Sequence, residues 1–236
     1  MTDPRPYSAP APGSQPPYLH NDYKSTIARA PKRALHKLPQ TLSEVTGPRF
    51  DANWYGGARA DMTRWEGGEA QGQRIILAGR VLDEDGRPVP KTLLEIWQCN
   101  SAGRYRHERD QHDAPLDPHF LGVGQVVTND KGEWRVLSIR PGAYPWRNTY
   151  NAWRAAHIHF SIFGPAFATR IVTQMYFPGD PLLPADPIVN SVSDQKARES
   201  MNCRYDPDLS EAEYAMGYRW DIVLRGRHST PFEDRA

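Results

Sequence analysis

Residues 74–99 read RIILAGRVLDEDGRPVPKTLLEIWQC, and the fold class can be argued from them. Ile75 to Val81 is an apolar run of the length and composition typical of a buried strand. Asp83 to Pro88 is a turn cluster, because Asp, Gly and Pro favour the backbone angles that reverse a chain. Thr92 to Cys99 follows as a second strand, whose alternate residues face the same side. This strand–turn–strand unit predicts a β-rich fold.

A similar pattern recurs along the rest of the chain. Asn129 to Gly132 is a tight-hairpin signal between two apolar segments. Several short strands with Gly and Pro turns indicate an all-β fold, an antiparallel β-sandwich of the immunoglobulin or transthyretin kind with long irregular loops. One short helix is expected within residues 192–216. The remaining strands are predicted at residues 122–128, 133–139, 157–162, 169–177 and 218–224.

The chain is predicted to divide near residue 72. Residues 1–20 are rich in Pro, Ala and Ser, which indicates an extended arm that could dock on a partner. Residues 24–47 are expected to form turns with one weak helical segment, and residues 50–72 an irregular exposed loop. We therefore expect an N-terminal arm and irregular, subunit-contacting segment over 1–72, and a β-sandwich catalytic domain over 73–236.

Composition excludes several classes of protein. The 236 residues carry 29 basic and 28 acidic side chains, which is not the basic excess of a nucleic-acid or anionic-membrane binder. No apolar run is long enough to span a bilayer, and the first residues lack the layout of a signal peptide, so we expect a cytoplasmic location. Cys99 and Cys203 are too few for a disulfide framework or a zinc site, and we expect both thiols to be buried.

His157 and His159 are the first candidate site residues. They lie two apart in an apolar strand, so both imidazoles project from one face and could bind one metal ion. For an isolated His-x-His pattern, two hydrogen-bonded structural histidines are the commoner interpretation. This pair follows a loop rich in aromatics and arginines, however, and lacks the neighbouring Cys or carboxylate of a zinc site. Tyrosine phenolates suit Fe(III), but the pattern does not identify which of the 11 tyrosines take part.

Several sequence phrases together resemble the intradiol ring-cleaving dioxygenase family. The strongest is Arg154-x-x-His157-x-His159, with Tyr144 thirteen residues before the first histidine. The resemblance covers most of residues 75–226 and is closest to the β-subunit branch that cleaves protocatechuate. The other matching phrases are LEIWQ (94–98), GRY (103–105), RPG (140–142), YPWRN (144–148), TQMYF (173–177), FPGDPL (177–182) and WDIVLRG (220–226).

The resemblance implies a metal and its ligands. Tyr105, Tyr144, His157 and His159 match the residues that bind one non-haem Fe(III) per chain. Tyr144 and His159 match the axial ligands, and Tyr144 matches the tyrosine that leaves the iron when substrate binds. The implied reaction is the cleavage of a catechol by O2 between its two hydroxyl-bearing carbons. In the protocatechuate branch the product is 3-carboxy-cis,cis-muconate, a step of aromatic compound degradation.

The same resemblance implies further site residues and a partner. Arg154 matches a catalytic arginine that faces the substrate ring, and Tyr23 matches a residue near the substrate carboxylate. The partner would be an α subunit that has lost the iron ligands, in a hetero-oligomer of αβ units. The small ligands would be an aromatic diol and O2, with no nucleic acid and no membrane. The other positions that bind substrate or support the pocket are Trp97, Trp146, Gln174, Tyr176 and Ile188.

The residues alone leave other interpretations open. A non-enzymatic immunoglobulin-like or transthyretin-like binding module would account for the strands, but not for the tyrosines and the His pair. A zinc hydrolase or a cupin-like Fe(II) oxygenase would require a nearby carboxylate or a third histidine in register. Within the dioxygenase family, a differently substituted catechol is the alternative substrate.

Overall fold

The structure is a computed structural model that describes residues 9–36, 57–164 and 170–233. These residues form three short α-helices, α1 (Ser25–Arg29), α2 (Pro187–Ser191) and α3 (Gln195–Ser200), and a 3-10 turn at Leu183–Ala185. Their strands are β1 (Arg64–Trp65), β2 (Gly68–Glu69), β3 (Arg74–Leu82), β4 (Leu93–Trp97), β5 (Val123–Val127), β6 (Glu133–Ile139), β7 (Tyr144–Pro145), β8 (Trp153–Arg154), β9 (His157–Phe163), β10 (Arg170–Tyr176), β11 (Arg204–Tyr205), β12 (Met216–Arg219) and β13 (Ile222–Val223).

Two sheets form a sandwich. One is antiparallel throughout, with strands in the order β10-β9-β4-β5. The other is built around β3, which pairs antiparallel with β6 along one edge and parallel with β12 and β13 along the other, and β11 completes it beside β12. The predicted all-β sandwich is confirmed, with the difference that the second sheet is mixed.

The apolar faces of both sheets share one core. Ile75 and Leu77 of β3, Ile96 of β4 and Phe160 of β9 are all essentially inaccessible to solvent. Burying a side chain of this size stabilises the fold by about 1.5–3 kcal/mol, so this interface holds the two sheets together. Phe160 of β9 points into the core. Its neighbours in the strand, His159 and Ser161, therefore point to the opposite face of the sheet.

The strand predicted at 218–224 is interrupted, which the alternating pattern did not reveal. The Trp220 carbonyl lies directly over Gly79, where any side chain would collide with it. Beyond it, the Asp221 carboxylate accepts hydrogen bonds from the Arg80 backbone N–H at 2.8 Å and from the Arg80 guanidinium at 2.7 Å. A side chain thus replaces one step of the backbone ladder, and β12 and β13 are separate strands.

The N-terminal segment also differs from expectation in its described parts. Helix α1 lies in the segment predicted to be weakly helical. Residues 57–72 contain the β1–β2 hairpin and bury Met62 in the main core, so this part is not the irregular exposed loop that was predicted. The described part of the predicted arm docks on the chain itself, with Gln15 buried. The division at residue 72 stays a prediction.

Helix α2 was missed, whereas α3 lies within the range predicted for one short helix.

Cys99 and Cys203 are buried free thiols, as expected. Among the residues described, no helix combines the length and the apolar character needed to cross a bilayer.

Candidate metal centre

The pairing register of the strands places other predicted site residues beside His157 and His159. His159 of β9 lies opposite Trp97 on β4 and opposite Gln174 on β10, while His157 lies opposite Tyr176. Residues opposite one another on adjacent strands are close enough for their side chains to touch. The Trp97 ring accordingly stacks on the His159 ring, with centroids 4.8 Å apart and planes 9° from parallel. Five of the predicted site residues, the two histidines and their three neighbours, are therefore placed by the sheet itself.

Tyr144 reaches the histidines from a two-stranded ribbon. Strands β7 and β8 pair antiparallel, which places Tyr144 opposite Arg154, and β8 leads after two residues into β9. The Tyr144 hydroxyl lies 3.3 Å from His157 Nε2. The thirteen-residue spacing noted in the sequence is thus the length of this ribbon and its loop.

Tyr105 reaches the same point from the loop that follows β4. Gly103 adopts a φ of +79°, and its Cα lies so close to the Ala143 carbonyl that a side chain would collide with it. This close approach brings the Tyr105 loop against the start of β7, and the two phenol rings meet edge to face at 5.4 Å. The Tyr105 hydroxyl lies 3.1 Å from His159 Nε2.

The hydrogen bonds of the imidazoles orient their lone pairs. His157 Nδ1 lies 2.6 Å from the Ala155 carbonyl, and His159 Nδ1 lies 2.8 Å from a carboxylate oxygen of Glu233. Both acceptors require Nδ1 to carry a proton, so Nε2 is the nitrogen of each ring that remains for a metal, and it faces a tyrosine oxygen. Two imidazole nitrogens and two phenol oxygens converge as a possible donor set.

The electrostatics of this cluster fit a highly charged hard cation. Burial raises the pKa of Tyr105 well above its ordinary range and also raises the pKa of Tyr144. Burial, reinforced by the neighbouring Arg154 cation, lowers the pKa of His157, so its imidazole stays neutral. A neutral imidazole such as that of His157 is ready to bind a metal, and phenols this buried ionise only beside a strong positive charge. Within the described residues no group of three His, Cys, Asp or Glu could hold a metal ion.

Arg154 is buried beside the cluster in a network of polar side chains. Its Nε donates to Asp186 at 2.8 Å, and its Nη2 donates to Gln174 at 2.5 Å and to the Tyr176 hydroxyl at 3.1 Å. Burial alone would lower the pKa of Arg154, but Tyr176 and Asp186 raise it, so the guanidinium stays charged. Its central carbon lies 5.4 Å from the centre of the Trp146 ring, within cation–π range.

Asp186 and Glu233 were not found from the sequence. Asp186 is fully buried, and besides pairing with Arg154 it caps α2 by accepting from the Ile188 backbone N–H at 3.0 Å. Asp186 followed by Pro187 is a helix-start signal that could have revealed α2 and its cap. Glu233 lies 74 residues beyond His159, and no local pattern marks it.

A cleft of about 780 Å³ opens beside the cluster, lined among others by Tyr105, Tyr144 and Trp146. Tyr23 meets the Trp146 ring edge to face, with centroids 5.3 Å apart, so the two predicted substrate-binding residues are neighbours. Ile188 lies instead at the start of α2, buried beside Asp186. Trp146 in turn lies against Arg154, which connects Tyr23 and Trp146 to the network around the histidines.

Most of the chain is similar in sequence to known dioxygenases. A family model described as Dioxygenase matches residues 45–226, and one described as the N-terminal part of the protocatechuate 3,4-dioxygenase beta subunit matches residues 8–41. The protocatechuate 3,4-dioxygenase beta chain of Burkholderia cepacia is 51% identical over 222 residues, which cover 93% of this chain and 94% of that protein. The alpha chain of Pseudomonas putida is 28% identical, covering 85% of this chain and 98% of its own length.

A solved structure supports the fold. Hydroxyquinol 1,2-dioxygenase from Pseudomonas putida DLL-E4 superimposes with a TM-score of 0.54, covering 85% of this chain and 70% of that chain. The identity in this comparison is 22%, so the likeness speaks for the β-sandwich alone.

Proposed function

The chain belongs to the intradiol ring-cleaving dioxygenases, and from that premise we propose that it cleaves protocatechuate with O2 to 3-carboxy-cis,cis-muconate. The observation that carries the proposal is the convergence of His157 Nε2 and His159 Nε2 on two phenol oxygens at 3.1–3.3 Å. The β-chain relative, which aligns over nearly the whole chain, supplies the substrate. A binding module without chemistry would not account for this buried, converging donor set.

Tyr105, Tyr144, His157 and His159 would hold one non-haem Fe(III) per chain. Phenolate is a hard anionic donor and suits the ferric ion, the His157 imidazole is held neutral, and both rings have Nδ1 engaged so that Nε2 faces the site. Bound there, Fe(III) would draw electron density from a chelated catecholate and make its ring reactive toward dioxygen. The protein's own contribution is to hold the diol in place and to move its protons.

Tyr144 is the residue best placed to take a proton from the diol. It stands on the cleft, and burial raises its pKa, so a phenolate released at this position is a strong base. The proton would go from a substrate hydroxyl to Tyr144 Oη. Tyr105 lines the same cleft, and its role as the ligand that stays bound rests on the family resemblance.

Arg154 would stabilise anionic character on the ring. Its guanidinium is held through Nε by Asp186 and through Nη2 by Gln174 and Tyr176. A guanidinium fixed by Asp186 and Gln174 is already oriented, so it needs no reorganisation as charge develops. A ring carboxylate would extend from the diol toward Trp146, which lines the cleft and packs against Tyr23.

The partner of this chain is an α subunit. The β-type N-terminal match over residues 8–41 and the separate α-chain relative both support a hetero-oligomer of αβ units. The cleft beside Tyr144 is open on the single chain, and the partner would contribute to its outer wall.

The test is a visible spectrum with metal analysis of the purified protein, followed by protocatechuate in the presence of labelled O2. We expect about one iron per chain and a tyrosinate charge-transfer band in the visible range. Both atoms of one O2 should appear in 3-carboxy-cis,cis-muconate, one in each new carboxylate. Stoichiometric zinc without a visible band, or a yellow semialdehyde product, would contradict the proposal. Turnover of another catechol in preference to protocatechuate would reassign the substrate alone.

A further inference from the structure

The chain returns to the candidate metal centre after its last strand. Residues 229–233 run along β10, where Thr173 Oγ1 donates to the Pro231 carbonyl at 2.6 Å and the Glu233 N–H donates to the Val172 carbonyl at 3.0 Å. Thr173 is fully buried. These bonds fix the backbone of Glu233 beside the strand that carries Gln174.

The N-terminal segment locks this return segment in place. Gln15 is 7% exposed, and its side-chain oxygen accepts from the Phe232 N–H at 2.9 Å. Its side-chain nitrogen donates to Ser229 Oγ at 3.2 Å and to the Thr230 carbonyl at 3.3 Å. A buried amide with both ends satisfied holds the backbone tightly, because an unpaired end would cost about 1–3 kcal/mol. Glu233 therefore projects from a fixed position and not from a loose end.

One oxygen of Glu233 connects the two halves of the site. Glu233 Oε2 lies 2.8 Å from His159 Nδ1 and accepts from Gln174 Nε2 at 3.1 Å. The other end of the Gln174 side chain accepts from Arg154 and from the Tyr176 hydroxyl. A continuous chain of hydrogen bonds thus runs from a candidate iron ligand to the arginine proposed to act on the ring.

We propose that Glu233 is a positioning residue. It holds His159 in place as an iron ligand, and through Gln174 it fixes the position of Arg154 relative to His159. The inference rests on the proposed function, since it takes His159 to be a ligand. A carboxylate that accepts from Nδ1 keeps the proton off Nε2, fixes the ring plane and makes the imidazole a stronger donor. Trp97 stacks on the ring face, so ring face and ring edge are both constrained.

An incidental surface ion pair is the alternative explanation of this contact. The His159 side chain is 12% exposed and that of Glu233 is 22% exposed, so neither group is freely solvated. An incidental pair would not need the same oxygen to bind a second buried amide. The convergence of two donors on Oε2 favours the positioning role.

The experiment uses three variants of the full chain, produced together with the α subunit. Glu233→Ala removes both hydrogen bonds, while Glu233→Gln keeps an acceptor oxygen but loses the negative charge. Glu211→Gln is the matched control, because Glu211 pairs with Arg135 at 2.9 Å and is about half exposed away from the site. The readouts are iron content, the rate of iron loss to a chelator and the visible band of the resting protein.

Loss of a partner of this kind typically weakens metal binding roughly 10- to 100-fold, so Glu233→Ala should lose iron faster by about that factor. Its visible band should shift, Glu233→Gln should fall between Glu233→Ala and the parent, and Glu211→Gln should match the parent. An iron-loss rate and a band unchanged in Glu233→Ala overturn the inference while leaving the proposed function intact. A parent protein without iron overturns the proposed function itself, so the two failures are distinguishable.

Discussion

At the scale of single residues, Arg154 serves both stability and turnover. Arg154→Ser leaves the fully buried Asp186 without its cation and should destabilise the protein by about 3–5 kcal/mol. It should also lower kcat by about a hundredfold or more, since a fixed positive charge beside the reacting ring is lost. Arg154→Lys keeps the charge but not the planar fork, so it should recover much of the stability and little of kcat. Urea unfolding and steady-state kinetics separate the two effects. Recovery of kcat by lysine would show that charge alone suffices.

Tyr23 should affect substrate binding and not the chemical step. Tyr23→Phe keeps the edge-to-face ring contact with Trp146 and removes only the hydroxyl. Loss of one hydrogen bond to a substrate carboxylate costs about 0.5–1.5 kcal/mol, which raises KM roughly two- to tenfold with kcat little changed. Steady-state kinetics with protocatechuate and with unsubstituted catechol provide the comparison. An equal effect on both substrates would mean that the hydroxyl does not contact the carboxylate.

His157 should make the iron-free protein sensitive to acid. Burial, with Arg154 nearby, holds the pKa of His157 well below its ordinary value of 6.5. Below pH 6.5 His157 binds a proton in the unfolded chain but stays neutral in the folded chain. Stability is therefore full above this pH and falls on acidification by up to about 1.4 kcal/mol per pH unit. Denaturant unfolding of iron-free protein between about pH 7.5 and 5.5, beside His157→Gln, measures this. Identical pH slopes in the two proteins would contradict the assignment.

Sequence reasoning identified the residues that belong to a contiguous signature and missed those that arrive from a distance. Tyr144, Arg154 and the His pair lie within one short stretch, so their proximity is visible in the chain. Asp186 and Glu233 reach the site only because α2 and the return segment pack there, and that packing is a property of the whole fold. Their roles could be recognised only once the contacts were known.

At the scale of elements, the strands of the sandwich were predicted well and their exceptions have local causes. β3 to β6, β9 and the described part of the predicted 169–177 strand, β10, agree with prediction to within a few residues. The predicted strand at 218–224 is broken because Asp221 bonds to Arg80 with its side chain, an event that hydrophobic alternation does not encode. The parallel pairing of β12 and β13 with β3 was also not predictable, since a strand pattern does not specify its partner.

The close contact of the Tyr105 loop with β7 can be tested at Gly103. Gly103→Ala introduces a methyl group against the Ala143 carbonyl at a backbone φ of +79°. The control is Gly86→Ala, where φ is +76° but nothing lies within 4 Å, so only the backbone strain of about 1–2 kcal/mol applies. Gly103→Ala should cost more than the control in thermal unfolding and should also lower iron content. Equal stability and full iron in both variants would show that the loop adapts freely.

At the scale of the whole molecule, the N-terminal segment carries apolar side chains that are exposed to solvent on the single chain. Leu19, Ile27 and Leu35 are each more than half exposed. Ile27→Asp should therefore reduce the recovery of complex when the chain is produced with its α subunit, because a charge would be buried in the contact. The control is Leu116→Asp, at an exposed leucine outside this segment. Native mass spectrometry gives the αβ fraction, and equal loss in both variants would remove the segment from the contact.

We expect the parallel pairing along β3 to limit the rate at which this molecule folds. Arg80 and Asp221 are 141 residues apart in sequence, yet they close one edge of the central strand. Contacts between such distant segments form late, because the entropy of closing a long loop must be lost before the pairing compensates for it. Until then β3 presents an unpaired edge to any other strand, which is the usual route to aggregation. We therefore expect refolding to be slow and its yield to fall as the chain concentration rises.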